Sequence, residues 1–395
     1  MDAEEARTVG RRLRQIRNAR GKSLRVIAGL AGMSKSHLLR IERGERALDS
    51  RAQIAALADA LQIAPSELTR RLEPTRGNGE GAAVKAVRRA LRAVNRDDPA
   101  GQVVPVDVLR DRVAAAVMAQ KQCDHDQVGR DLPALIRDLH TTLAAGRNVG
   151  ELLTVAVMLH VQGTHAWLNH TGASPDLGWQ AAVLARQAAH EHGGSDLLGL
   201  AAFGAANGLL ADGEFDTALA ELDAVTVPTT TTQAEQLEGM LALSRSLIAV
   251  SDRRPADVDA PLDYAGELAA RTGEGNAYWL NFGPTNIGVW RMSVSLEARD
   301  FARAASIAEG LRPELLTTAT RRAAYWADYG RALARMRGRQ DDAVRALRKA
   351  ELISPARVQR HPFSREVLAE LLARSRRDPI GRELRGMAYR ADLPV

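Results

Sequence analysis

An all-α fold follows from three features of this 395-residue chain. Alanine and leucine dominate while only 15 residues are aromatic, a balance that favours helix over sheet. Apolar residues recur at spacings of three and four, with no persistent strand alternation. Glycines and N-cap hydroxyls punctuate the apolar runs at helix-length intervals. At 45% hydrophobic and 26% charged residues, the composition is that of a soluble chain long enough for two or three domains.

The first seventy residues divide into five short helices. Val9, Leu13 and Ile16 share one helical stripe, and Gly21 closes that helix. Ser23 is placed to cap a second helix at 24–31, with Leu24, Ile27, Ala28 and Ala31 inward. Gly32 and Met33 make a tight turn. Ser34 caps a third helix at 35–43, which turns Leu38 and Ile41 inward and leaves Lys35, Ser36, His37 and Arg40 outside. Gly44 ends it; a fourth helix at 50–61 and a fifth at 65–72 complete the unit. Two short helices joined by a glycine turn, the second basic and hydroxyl-rich, form a helix-turn-helix pattern.

Charge points the same way. Between Arg7 and Arg46 stand twelve Arg or Lys against two Glu, whereas residues 1–6 contribute −3 and the remaining 349 residues net −1. A compact positive segment on a nearly neutral chain is the footprint of nucleic-acid binding. The clustering carries this inference; 49 Arg against 5 Lys is a bias that a GC-rich genome produces by itself.

The string Ser23-Leu-Arg-Val-Ile-Ala28…Ala31-Gly-Met-Ser-Lys-Ser-His-Leu-Leu-Arg-Ile-Glu-Arg-Gly44, followed by Ile54-Ala-Ala-Leu-Ala-Asp-Ala-Leu61, resembles the phage-repressor (XRE/Cro) class over about 65 residues. The resemblance implies a five-helix lambda-repressor-like head with Lys35, Ser36 and Arg40 at base edges in the major groove. It places Ser34, Arg43 and Arg46 near phosphates and pairs Arg17 with Glu42 between the first and third helices. Members of the class often carry a phosphate-binding Gln where this chain has Leu24, so that contact falls to Ser23 or Arg25; His37 joins the phosphate-side set. Arg and Lys can donate to guanine O6 and N7, while arginines on phosphates give affinity without sequence information.

Residues 73–81 hold three glycines and a proline and read as a flexible connector. Helical spacing returns at 84–94 and breaks again at 97–101. The chain is thus expected to divide into a DNA-binding head at 1–72, a linker with one short helix at 73–105 and a helical body at 106–395, with the head tethered.

The body carries faint internal repeats. Gly213-Glu-Phe-Asp-Thr-Ala218 and Gly338-Arg-Gln-Asp-Asp-Ala343 share glycine, aspartate and alanine at matching places; Arg299-Asp-Phe-Ala-Arg-Ala304 is a degenerate copy. Ala265 and Ala182 extend the series. This pattern resembles a divergent tetratricopeptide (TPR) array with longer helices. The whole arrangement is similar to large actinobacterial transcriptional regulators, and in architecture to the peptide-sensing regulators of quorum sensing. Eight of the fifteen aromatics lie between Tyr278 and Tyr329, interleaved with amide and guanidinium groups. Trp279, Asn281, Asn286, Trp290, Arg291, Tyr325 and Tyr329 are therefore the candidate ligand-binding residues, with packing between helix pairs as the competing role.

Other chemistry is not expected. A single cysteine, Cys123, excludes a disulfide framework and a multi-cysteine metal site. His160, His165 and His170 are five apart, and at helical pitch each step rotates about 140°, so no shared metal face is predicted. Gly10 and Gly21 follow no strand and form no phosphate loop. No catalytic residue, cofactor or metal is expected. Residues 1–20 lack an apolar signal stretch, and the uncharged segment 152–175 carries His160, Gln162, His165, Asn169 and His170, so no membrane span is read and a cytoplasmic location is expected. The sequence reading is a DNA-binding transcriptional regulator, a homodimer on an inverted-repeat operator, whose body takes a small molecule or peptide. Its competitor is a TPR interaction scaffold with a weak, non-specific DNA-binding head.

Overall fold

A computed structural model describes residues 9–69 and 78–394, and every regular element among them is a helix. The head comprises α1 (Val9–Ala19), α2 (Leu24–Leu30), α3 (Lys35–Glu42), α4 (Arg51–Leu61) and α5 (Pro65–Thr69). Leu13, Ile27, Leu38, Ile41, Leu57 and Leu61 are buried at its centre. Helix α1 lies against the end of α3 at Gly10, where a Cβ would sit 2.0 Å from the Ile41 carbonyl oxygen. Residues 70–72 of the expected fifth helix and 73–77 of the expected connector lie outside the described residues.

The remainder of that connector is not an open tether. Helix α6 (Asn78–Val94) contains Gly81, and Val87, Ala90, Leu91 and Val94 bury its apolar face in the body core against α8 (His125–Ala144). Four apolar positions at helical spacing outweigh the glycine-rich start, because their burial needs the helix to be continuous.

Helix α7 (Val106–Lys121) also packs on α8. Helix α9 (Val149–Met158) passes without a break through a π-helical segment (Leu159–His165) into α10 (Ala166–Thr171), and α11 (Pro175–His192) lies against α9. Four helix pairs follow: α12 (Ser195–Asp212) with α13 (Phe215–Asp223), α14 (Thr232–Ser251) with α15 (Asp259–Thr272), α16 (Pro284–Glu297) with α17 (Phe301–Glu309), and α18 (Ala319–Ala334) with α19 (Gln340–Ile353). The first members of successive pairs pack on one another. Ala218, Ala265, Ala304 and Ala343 each sit, fully buried, on the second helix of a pair, where a larger side chain would push the pair apart. Helices α20 (Pro355–Gln359), α21 (Pro362–Leu372) and α22 (Pro379–Arg390) finish the chain. Helix α18 touches α7, and α10 touches α20, so the two ends of the body meet.

The head is docked on this body. Phe363 of α21 enters the head core, and the guanidinium groups of Arg331 and Arg51 lie over its ring at 4.8 and 5.3 Å. The segment between α3 and α4 enters a buried ionic cluster: Arg335 bonds Asp49 at 2.8 Å and Glu370 at 2.5 Å, Arg331 bonds the Asp49 carbonyl at 2.8 Å, and Glu370 accepts the Ala47 amide at 2.8 Å. Glu297 accepts the Arg51 amide at 3.0 Å. Burial alone would raise the Asp49 carboxyl, but Arg335 and Arg331 hold it below the usual carboxylate range. At the other edge Glu366 accepts the Val9 amide at 2.7 Å, and burial pushes its carboxyl up to about 7.

Arg335→Ala leaves Asp49 and Glu370 buried without their shared cation, which is expected to cost about 3–5 kcal/mol of head docking. Calorimetry should then resolve the head as a separate, earlier transition, while a single unchanged transition would show that the junction does not hold the head.

Candidate nucleic-acid interface

The turn between α2 and α3 is built by local signals. The Ser23 hydroxyl accepts the Val26 amide and caps α2; the Ser34 hydroxyl accepts the His37 amide at 3.2 Å and caps α3. Gly32 between them takes φ +66°, a conformation that side chains strain to reach. Leu38, Ile41 and Glu42 face inward, which leaves Lys35, Ser36 and Arg40 on the exposed face of α3. Glu42 is buried because Arg17 of α1 meets it through two hydrogen bonds at 2.6 and 2.8 Å, and its hydrogen bond to Glu42 raises the Arg17 pKa. This paired fork ties α1 to α3 and fixes the angle at which α3 is presented.

The flanking residues separate into two groups. Ser23, Arg25, Ser34 and Arg43 are exposed beside α3, Arg43 standing 3.8 Å from Glu45. Arg46 turns toward the body instead, 3.7 Å from the buried Glu370. His37 is half-buried, 3.5 Å from Gln53; burial, with Arg299, Arg46, Arg40 and Arg335, lowers its pKa. Leu24, at the class's Gln position, packs on the head core.

Residues 8–72 match a family model described as a helix-turn-helix domain. No curated protein and no solved structure gave a match. The matched segment and the exposed basic helix together define the class: a helix-turn-helix DNA-binding regulator. Among the described residues no helix is long and apolar enough to cross a membrane.

The candidate ligand residues do not converge on one pocket. Tyr325 is buried with its hydroxyl donating to the Ala308 carbonyl and Tyr329 donates to Glu309, so both tyrosines join α18 to α17, while Trp326 meets Tyr325 edge-on and Lys349 of α19. Arg291 reaches Asp263 on α15. Asn281 accepts from Thr317, and Trp279 is half-buried in a left-handed turn. Tyr325 and Tyr329 also meet each other, with ring centroids 6.2 Å apart, and Asn286 and Trp290 are brought together by Arg321: its Nε donates to Asn286 Oδ1 at 2.9 Å and its guanidinium lies 5.7 Å from the Trp290 ring centroid. Arg321, Lys121 and Gln162 were not among the sequence candidates, since they stand on separate helices with nothing local to mark them.

The histidines need a correction of geometry. Across 159–165 the backbone is π-helical, and its i to i+5 bonding places residues five apart above one another, so the rotation expected at α-helical pitch does not separate His160 from His165. Among the described residues no group of three potential ligands could hold a metal ion. His160 is fully buried with its Nε2 2.9 Å from that of His140, while His170 meets Gln120 at 3.1 Å. Burial lowers the pKa of His140 and His165 to about 4 and of His170 to about 3. Cys123 is partly buried, and burial raises its thiol.

Unfolded histidines bind protons near pH 6.5, whereas these stay neutral when folded, so the unfolded chain takes up more protons below that pH. Stability is therefore expected to fall as pH drops from about 6.5 toward about 4. Thermal unfolding across that window tests this, and replacing His140 and His160 together by glutamine should flatten the slope.

Proposed function

We propose that the chain is a sequence-specific transcriptional regulator of the XRE/Cro type, acting in the cytoplasm without enzymatic activity. It binds an inverted-repeat operator as a homodimer through α3. The observation that carries this reading is the exposed face of Lys35, Ser36 and Arg40 on a helix whose other face is locked into the head core. Lys35 and Arg40 donate to base edges, Ser36 adds an adaptable hydroxyl, and Ser23, Arg25, Ser34 and Arg43 meet the backbone on either side. Arg46 and His37 face the body side of the head and contribute less to phosphate binding than their place in the sequence suggested. In a dimer, two such helices reach half-sites about 34 Å apart.

The body is a TPR-like array that dimerises and senses a small molecule. The buried alanines at equivalent places in successive helix pairs support the repeat reading. Because the head is docked, a change in the body would reposition α3 directly.

Recovery of bound genomic fragments, followed by titration of one site at two salt concentrations, tests the DNA reading. Arg40→Ala should cost about 1–3 kcal/mol on the recovered site and relax its sequence preference. Arg43→Ala should weaken all sequences alike and reduce the salt slope. Unchanged affinity of Arg40→Ala for the operator would refute the groove assignment.

A further inference from the structure

The body treats its buried cations in two ways. At the head junction each arginine meets carboxylates: Asp49, Asp328, Glu297 and Glu370. In the interior between α7, the π-helical segment, α16 and α18, two cations meet only amide oxygens. Lys121 Nζ donates to Gln162 Oε1 at 2.7 Å, and Arg321 donates to Asn286 Oδ1. An amide oxygen accepts a hydrogen bond without neutralising the charge, so Arg321 keeps its positive charge in a poorly solvated place and Lys121 gives up its own more readily than a surface lysine. Asp328 raises the Arg321 pKa by less than Arg357 lowers it, and Asp328 is already engaged by Arg331 at 2.9 Å, Ser293 at 2.9 Å and Arg357 at 3.6 Å.

Lys121 and Arg321 lie close enough for the arginine to lower the Lys121 pKa, though burial is the larger cause, bringing it to about 7. Both nonetheless keep partial contact with solvent. A third donor belongs to the cluster. Trp290, 6% exposed and beneath the Arg321 guanidinium, has an indole N–H with no acceptor. A buried donor left unsatisfied costs about 1–3 kcal/mol unless something occupies it.

The surrounding backbone holds this cluster open-handed. Gln162 sits in the π-helical segment, and its Nε2 donates to the Tyr278 carbonyl at 2.8 Å, which fixes its oxygen toward Lys121. Tyr278, Trp279 and Asn281 take φ of +50°, +60° and +55°, left-handed values that non-glycine residues adopt at a cost of about 1–3 kcal/mol each. The strained turn at Tyr278 thus buttresses the π-helical segment that presents Gln162 to Lys121.

We propose that this cluster binds a small organic anion, its carboxylate or phosphate group seated between Lys121 and Arg321. The proposal deepens the reading of the body as a sensor by naming the chemistry of what it senses.

The test uses the full chain without DNA, in sodium citrate and in sodium phosphate separately, each against sodium chloride at equal ionic strength. One of the two anions should raise the melting temperature saturably, citrate marking a carboxylate site and phosphate a phosphoryl site, and calorimetric titration should give one anion per chain. Lys121→Met and Arg321→Met should each weaken that binding by at least about tenfold, while the surface variant Arg130→Ala leaves it intact. Ligand-free Lys121→Met should be as stable as the parent or more so, because it removes a buried amine whose charged form no carboxylate balances. The proposal fails if neither anion gives a saturable shift, or if the shift survives both methionine variants. Operator binding is assayed apart from this, so failure of either experiment leaves the other standing.

Discussion

The position of the helix-turn-helix head depends on one buried ionic cluster. Asp49 descends from the loop after α3 and is met by Arg335 and Arg331; Arg335 also holds Glu370, which accepts the Ala47 amide. Charges of this kind are costly to bury and costly to separate once buried, so the arrangement is closer to all-or-none than to a graded contact. Phe363 adds an apolar anchor that two arginines cover. The presentation of α3 is therefore set from both sides: Arg17–Glu42 fixes it within the head, and the Asp49 cluster fixes the head on the body.

The same bookkeeping of charge separates structural sites from the candidate ligand site. Arginine is abundant enough that its mere presence says little. What distinguishes Lys121 and Arg321 is the kind of partner they have, neutral amide oxygens in place of carboxylates. A structural role would be better served by the solution used at Asp49, where opposite charges cancel. Retaining the Arg321 charge on a neutral partner makes sense when a negative group completes the cluster.

What could be read from the sequence was what is encoded locally. The caps at Ser23 and Ser34, the turn at Gly32 and the stripe of Leu38 and Ile41 lie within a few residues of what they control, and the head's helices follow from them. The marker alanines were legible because close helix pairing demands a small residue at a repeated place. The docking of the head was not, since Val9 and Glu366 are 357 positions apart and Ala47 and Glu370 are 323 apart. The apolar spacing at 84–94 predicts the second part of α6, but the glycines before it hide the helix's start at Asn78, and nothing local shows that its apolar face packs on α8. The ligand candidates were chosen by proximity in sequence, but helical pairs send adjacent residues to opposite neighbours. Tyr325 thus went to packing against α17, and Arg321 four positions earlier to the interior.

Helix α18 links the two charged sites. Arg321 near its start belongs to the interior cluster with Asn286, and Arg331 and Arg335 at its end hold Asp49 of the head. Fourteen residues of α-helix span about 21 Å, and a packed helix moves over that length as a rod. The docked head already leaves Lys35, Ser36 and Arg40 exposed, so the body does not act by covering them. Control through release of the head would require a ligand to overcome the buried pairs at Asp49, and driving such a switch from 1:99 to 99:1 needs about 5.5 kcal/mol of differential binding. A shift of α18 that keeps those pairs intact asks for far less, and it changes the angle of the head on the body. In the homodimer proposed above, that angle sets the spacing of the two half-sites, and so the small displacement is the cheaper route from the Arg321 cluster to DNA.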